Sequence, residues 1–335
     1  MSIRKVVGEM KKHKYQLFTI FAIAVLILAG CNGQDDASAT GENRGEYSGK
    51  SSIAVVLKGS DQEYFKLAEE GAKKAFEDFN VDGTFLAAST QTNTTEIINI
   101  LEDLLIEEPD ALVVMPSTQE QTPVLKRYHD KGIPVLLIDT DLDWDDKTTY
   151  IGTNNYTAGQ EAAKLLASKI SEGDEIAILE GVSGAAVSEE RVKGVKDVME
   201  EEGIKIVASQ AADFDRVKAV NTMENILTAH PNIKGIFTAN DSMAMGAFEA
   251  VKSRNLDIPI IGIDGTSDAL ESISNSGLTA TIAQSPYQMG YQGVENALKV
   301  VGGETIDKKI DVDIEILTEE NAAESLKEIN AILGK

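Results

Sequence analysis

From Ile53 onward the chain alternates short apolar runs with stretches of helical periodicity, and few architectures accept that rhythm. Six runs read as buried strands: IAVVL from Ile53, ALVVMP from Ala111, IPVLLID from Ile133, EIAILEG from Glu175, KGIFTAN from Lys234 and IPIIGID from Ile258. Weaker candidates are GTFLAAS from Gly83, TTYIG from Thr148, IKIVASQ from Ile204 and LTATIAQ from Leu278. Between them, Phe65, Ala68, Ala72, Ala75 and Phe79 recur on one helical face, as do Ile97, Leu101, Leu104 and Leu105. A strand apolar on both sides must be covered on both sides, and alternating helices supply that cover. The pattern therefore predicts an α/β chain of βαβ units with parallel sheets. So long a series exceeds one small core and suits two similar halves. The first runs to about Thr153, after which NNYTAGQEAAKLL opens a new helix.

Open α/β sheets bind ligands beyond the carboxyl ends of their strands, so the residue closing each apolar run matters. Those residues are Asp139, Asn240, Asp264 and Gln284. All four are short polar groups that accept hydrogen bonds, and the two amides also donate. Each has a plain alternative, since Asp and Asn at a strand end often cap the following helix or form a turn.

The N-terminus follows different rules. Arg4, Lys5, Lys11, Lys12 and Lys14 precede the apolar run Leu17 to Gly30, which is short for a membrane span. A basic start, an apolar stretch and small residues in that order predict a secretory signal peptide over residues 1–30. The only cysteine, Cys31, stands directly behind it. With no second thiol, an intrachain disulfide is excluded despite the export. Residues 31–50 lack apolar periodicity and read as a flexible tether. The whole chain holds 31 basic and 55 acidic residues; residues 1–30 contain five and one of these, leaving 26 and 54 and a net charge of −28. Such a surface repels nucleic acid phosphates and anionic headgroups, so nucleic acid is excluded as a partner.

Two resemblances make these readings specific. Leu28-Ala29-Gly30-Cys31 resembles the lipobox of bacterial lipoproteins, which implies cleavage before Cys31, diacylation of its sulfur and a lipid anchor on the outer side of the cell membrane. The segments AADFDRVKA from Ala211, TAHPNIKGIFTANDSMAMGA from Thr228, IIGIDGTSD from Ile260 and TATIAQSPYQMG from Thr279 resemble the ribose-binding branch of periplasmic sugar-binding proteins, in register from Ile53 to about Leu317. That family implies a type 1 periplasmic binding protein fold: two Rossmann-like lobes joined by a three-strand hinge near 153–155, 284–286 and 311–313. The lobes would comprise 51–153 plus 285–312 and 154–284 plus 313–335. It further implies a monomeric substrate-binding protein that closes on a monosaccharide and delivers it to the permease and ATPase of an ABC transporter. The alternative output is a sensor whose closed form docks on a chemoreceptor or sensor kinase. No cofactor is implied.

Carried over residue by residue, the resemblance assigns Tyr64 and Phe65 as an aromatic pair of the first lobe and Phe214 as the facing aromatic. Aromatic faces suit the C–H faces of a sugar ring and exclude water. Arg191 would donate its fork to hydroxyls, with a surface ion pair to Glu189 or Glu190 as the plain alternative. Asp139, Asn240, Asp264 and Gln284 complete the polar set. Two positions depart from the ribose pattern: Thr140 stands where that pattern has arginine, and Gln62 replaces an asparagine. Losing a charged donor changes what the rim can hold, so the resemblance implies the sugar class rather than ribose.

Catalytic and metal readings find little support. His13 lies in the signal, and His129 and His230 stand near predicted helix ends. No nucleophile elbow, phosphate-binding Walker loop or zinc spacing occurs. The run DTDLDWDD from Asp139 invites calcium, yet Trp144 occupies the place where an EF-hand needs glycine and Tyr150 that of its final glutamate. Trp144 is expected in a loop or at the mouth of the cleft. Effector domains of sugar-responsive repressors share this fold, but no basic helix-turn-helix precedes Ile53.

Overall fold

The computed structural model describes residues 50–335; the signal segment, Cys31 and the tether up to residue 49 lie outside them. Two six-stranded sheets carry the fold. The first contains β1 (Ser52–Leu57), β2 (Asp82–Ala87), β3 (Ala111–Val114), β4 (Val135–Ile138), β5 (Thr149–Gly152) and β11 (Lys309–Asp311), in the order β11-β5-β4-β3-β1-β2. The second contains β6 (Glu175–Glu180), β7 (Lys205–Ala211), β8 (Gly235–Thr238), β9 (Ile260–Asp264), β10 (Ala280–Ala283) and β12 (Glu315–Leu317), in the order β12-β10-β9-β8-β6-β7. Every pairing is parallel except β10 with β12. All ten runs expected as strands are strands; the short β11 and β12 carry too few apolar residues to signal themselves.

Both faces of the first sheet are buried, as parallel pairing requires. Ile53, Val55 and Leu57 of β1 enter one core with α1 (Glu63–Phe79) and α9 (Pro286–Val301). Ala54 and Val56 enter the opposite one with α2 (Thr94–Glu107) and α3 (Thr122–Asp130). The side-chain period of two divides them. The second sheet is covered by α4 (Asn155–Ala167), α5 (Ala186–Glu201), α6 (Arg216–Ala229), α7 (Asp241–Ser253), α8 (Ser267–Ser274) and α10 (Ala322–Leu333). Phe79 departs from its predicted core face: it is 40% exposed and leans on Tyr291. The Trp144 ring is buried at 4% exposure beside His129 on the α2–α3 side of the sheet, so it belongs to a loop but not to the mouth of the cleft.

The chain passes between the sheets three times: from β5 into α4, from β10 into α9, and from β11 into β12. The strand ends therefore face one another across a cleft. Among the described residues no helix is long and apolar enough to cross a membrane.

Candidate functional site

The facing strand ends line a cavity between the two sheets that opens to solvent. Gln62, Tyr64, Phe65, Asp139, Arg191, Phe214, Asn240, Asp264 and Gln284 line it, together with Lys58, Gln91 and Val187. Thr140 is buried but does not reach the wall.

Asp139 anchors the wall of the first lobe. Its backbone sits at φ 63°, in a tight turn where Thr140 N–H donates to Ile138 O at 2.7 Å and the Tyr150 hydroxyl donates to Asp139 O at 2.9 Å. Such a conformation is costly for a non-glycine residue and persists where the surroundings enforce it. Its Oδ1 accepts from the Tyr64 hydroxyl at 2.6 Å; its Oδ2 accepts from Lys58 Nζ at 2.5 Å and from Thr140 Oγ1 at 2.8 Å. Burial alone would raise this carboxyl, but the Lys58 charge and the hydrogen bonds outweigh it and hold Asp139 below the ordinary carboxylate range. The same burial, with the Asp139 charge, pushes the Tyr64 hydroxyl far up, so it remains a donor. Two carboxylate oxygens accept about four hydrogen bonds, and three are in use, which leaves Asp139 one for a ligand.

Lys58 was not legible as a site residue. A lysine directly after a buried strand reads as a solvated end, yet it is 5% exposed and also donates to Thr140 Oγ1 at 2.9 Å. The cation absent at position 140 is thus supplied from β1, and Thr140 positions it. The clue available in the sequence was that the run IAVVL ends on a charge at the ligand-binding edge, as the runs before Asp139 and Asp264 do.

In the facing wall, Arg191 is 3% exposed rather than paired at the surface with Glu189 or Glu190. Its Nε donates to Asn155 Oδ1 at 2.8 Å and a terminal nitrogen donates to Ala239 O at 2.7 Å. Helix α5 can seat it there because Gly159 of α4 meets the Arg191 backbone: a Cβ on that glycine would lie 2.1 Å from Arg191 O. Gly181 does likewise for Phe214, whose ring tip would lie 2.0 Å from an added Cβ. Phe214 itself stands at φ 58°.

Asp264, at φ 138°, accepts from Gln284 Nε2 at 2.8 Å, with the nearest Arg191 nitrogen 3.8 Å away. Burial pushes its carboxyl up to about 8; Arg191 opposes the shift and the Asp241 carboxylate adds to it. Asp241, also missed in the sequence, aims this loop by accepting from Gly265 N and Thr266 N, both at 2.8 Å. Asn240 serves two ends at once. Its Oδ1 caps α7 by accepting from Met243 N at 2.9 Å, which leaves its amide N–H groups for the cavity. Gln62 spans the cleft, donating Nε2 to Phe214 O at 3.3 Å.

Aromatic rings from both lobes, two carboxyl groups, four amides, one guanidinium and one ammonium make a compartment suited to a small polyhydroxylated molecule. The chain belongs to the periplasmic binding protein family, whose domain matches residues 53–305. Among its relatives, the ribose import binding protein of Escherichia coli (strain K12) is 31% identical over 273 residues, covering 81% of this chain and 92% of its own. The ribose import binding protein of Bacillus subtilis (strain 168) is 30% identical over 307 residues, covering 91% and 99%. A solved ABC transporter periplasmic solute binding protein from Actinobacillus succinogenes 130z with bound D-allose superposes with a TM-score of 0.77 at 32% identity, covering 82% of this chain and 100% of that one.

Proposed function

We propose that this protein is the extracytoplasmic substrate-binding component of an ABC importer, that it captures one monosaccharide between its lobes, and that it presents the closed form to the permease. The observation that carries this reading is the cavity between the two sheets, where nearly every wall residue is either an aromatic face or a hydrogen-bonding group matched to hydroxyls. No observation of its own favours the sensor reading. A thermal-shift screen over pentoses, hexoses and polyols tests the reading: a bound sugar raises the melting temperature by mass action. A flat response across the whole panel would remove it.

The proposed moving bodies are residues 51–153 plus 285–312 and 154–284 plus 313–335. Their closed arrangement is held by polar links across the cleft. Besides the Gln62 bond, Glu63 Oε1 accepts from Ser267 N at 2.7 Å and Glu63 Oε2 pairs with Lys335 Nζ at 2.8 Å. These bonds exist only with the lobes together, so a sugar that bridges the walls shifts the population toward closure. Small-angle scattering is expected to show a smaller radius of gyration with the sugar identified by the screen, and an unchanged radius at saturation would defeat the closure mechanism.

The proposal extends to a monomer tethered through a lipid on Cys31. Wild type is expected to partition with membranes, and Cys31→Ser to remain uncleaved or to be released. Processing and retention of Cys31→Ser like the wild type would refute the anchor.

A further inference from the structure

Helix α8 (Ser267–Ser274) begins shortly after Asp264, and its first turn has no side-chain cap of its own. A threonine at the N-cap position normally accepts a hydrogen bond from a first-turn amide. Thr266 holds that position, but its hydroxyl turns away to donate to the Asp241 carboxylate at 3.3 Å, which also takes the Gly265 and Thr266 amides. The Ser267 amide is left over, and Glu63 of α1 accepts it at 2.7 Å from across the cleft. A carboxylate is the acceptor that the positive end of a helix dipole favours. Burial alone would raise the Glu63 carboxyl, but the hydrogen bonds from Lys335 and Ser267 outweigh it and hold Glu63 below the ordinary range, so it docks as an anion.

This cap adjoins the sugar site without belonging to it. Gln62 and Tyr64, on either side of Glu63, line the cavity, as does Asp264 ahead of α8, whereas Glu63, Ser267 and Lys335 do not. Both partners of Glu63 come from the second sheet's side of the cleft. Ser267 follows β9, and Lys335 follows α10, whose Leu326 and Ile329 pack on the core of that sheet. The Lys335 ion pair is exposed and adds little; the bond to the Ser267 amide carries the link. Parting the two sheets therefore uncaps α8 and returns Glu63 to water.

Resting on the sugar-binding reading above, we propose that Glu63 is a positioning residue that latches the closed form: it caps α8 from the opposite side of the cleft and so strengthens binding of every sugar alike, without touching any of them. Removing the cap lowers affinity by one common factor, because the closed complex loses a bond that the open protein never had. Glu63→Ala and Ser267→Pro delete the two ends of that bond separately. Proline is tolerated at the first position of a helix, where it removes only the amide donor. Thr266 already has the extended backbone (φ −73°, ψ 156°) that a following proline requires. Calorimetry and stopped-flow mixing test the latch with D-ribose, D-allose and each further sugar of the thermal-shift panel that binds wild type. Each variant is expected to weaken every such sugar about tenfold, by the same factor to within about twofold, with the loss in the dissociation rate. The double variant should lose no more than about twofold beyond the larger single loss, since both substitutions break one bond. Wild-type affinity in Glu63→Ala, losses that differ between sugars, or single losses that multiply to about a hundredfold in the double variant would each overturn the proposal. If Ser267→Pro does not fold, Glu63→Ala decides alone. Should sugars bind and the variants match wild type, only the latch falls; should no sugar of the panel bind wild type, the sugar-binding reading has failed and the latch falls with it.

Discussion

Replacing Arg191 with alanine is expected to weaken sugar binding by at least about a hundredfold, as read by calorimetry with the sugar that the thermal-shift screen identifies. Arg191 is clamped by Asn155 and Ala239 and points its fork into a closed cavity. A hydrogen bond from a charged donor contributes about 1.5–3 kcal/mol, and two such bonds to hydroxyls about 3–6 kcal/mol. At about 1.4 kcal/mol per factor of ten, that is a loss of about two to four orders of magnitude. The variant also leaves Asn155 Oδ1 without its donor and removes the guanidinium that opposes the upward shift of Asp264. Asp264→Ala should lose at least about tenfold through the same set of hydroxyls. His129→Ala serves as the control, because its exposed ring meets Trp144 edge to face on the α2–α3 side of the first sheet, outside the cavity lining. If all three variants bound alike, the assignment of the pocket would be wrong within a correct family.

Lys58→Met should be comparably severe, by a different route. Lys58 and Asp139 are both buried, and removing one partner of a buried ion pair costs about 3–5 kcal/mol because the other charge stays dry and uncompensated. Asp139 belongs both to the packed first lobe and to the cavity wall, so the cost appears as a loss of stability and as an affinity loss of about two to three orders of magnitude. Its pH dependence identifies the mechanism. In wild type the lowered Asp139 carboxyl contributes stability that is present above about pH 4 and is lost only as the pH falls through its depressed value. In Lys58→Met burial acts without the ammonium, so the Asp139 carboxyl moves up from its depressed value and the stability it contributes above about pH 4 shrinks. The gap in melting temperature between the two proteins should therefore be small near pH 4 and widen toward pH 7. A gap independent of pH would show that Lys58 acts by packing alone.

The same contact alters what Thr140 means. Read from the sequence, threonine in place of the arginine of the ribose pattern is a lost cation, and restoring arginine is the obvious test. In the folded protein the Lys58 ammonium already lies against Thr140 Oγ1. An arginine at 140 would bring a second cation onto the first, so a swap toward the ribose pattern has to remove Lys58 as well.

Much of the architecture was legible before folding, because it depends on short-range regularities. Buried parallel strands must be apolar throughout, and the helices that cover them must carry one apolar face. The strand-end rule then singled out Asp139, Asn240, Asp264 and Gln284, all of which line the cavity. For Asn240 the choice between cap and site proved false: its oxygen caps α7 while its amide faces the cavity. What the sequence could not convey was which ends become neighbours. Lys58 and Asp139 are 81 positions apart, and only the order β4-β3-β1-β2 brings one ammonium onto one carboxylate. Gln91 is likewise an unremarkable loop glutamine until Ser117 holds its backbone carbonyl and its side chain joins the cavity wall. Apolar periodicity is a property of neighbouring residues and can be read along the chain. The pairing of buried charges and amides depends on strand order and lobe closure, so it was decided only by the tertiary structure.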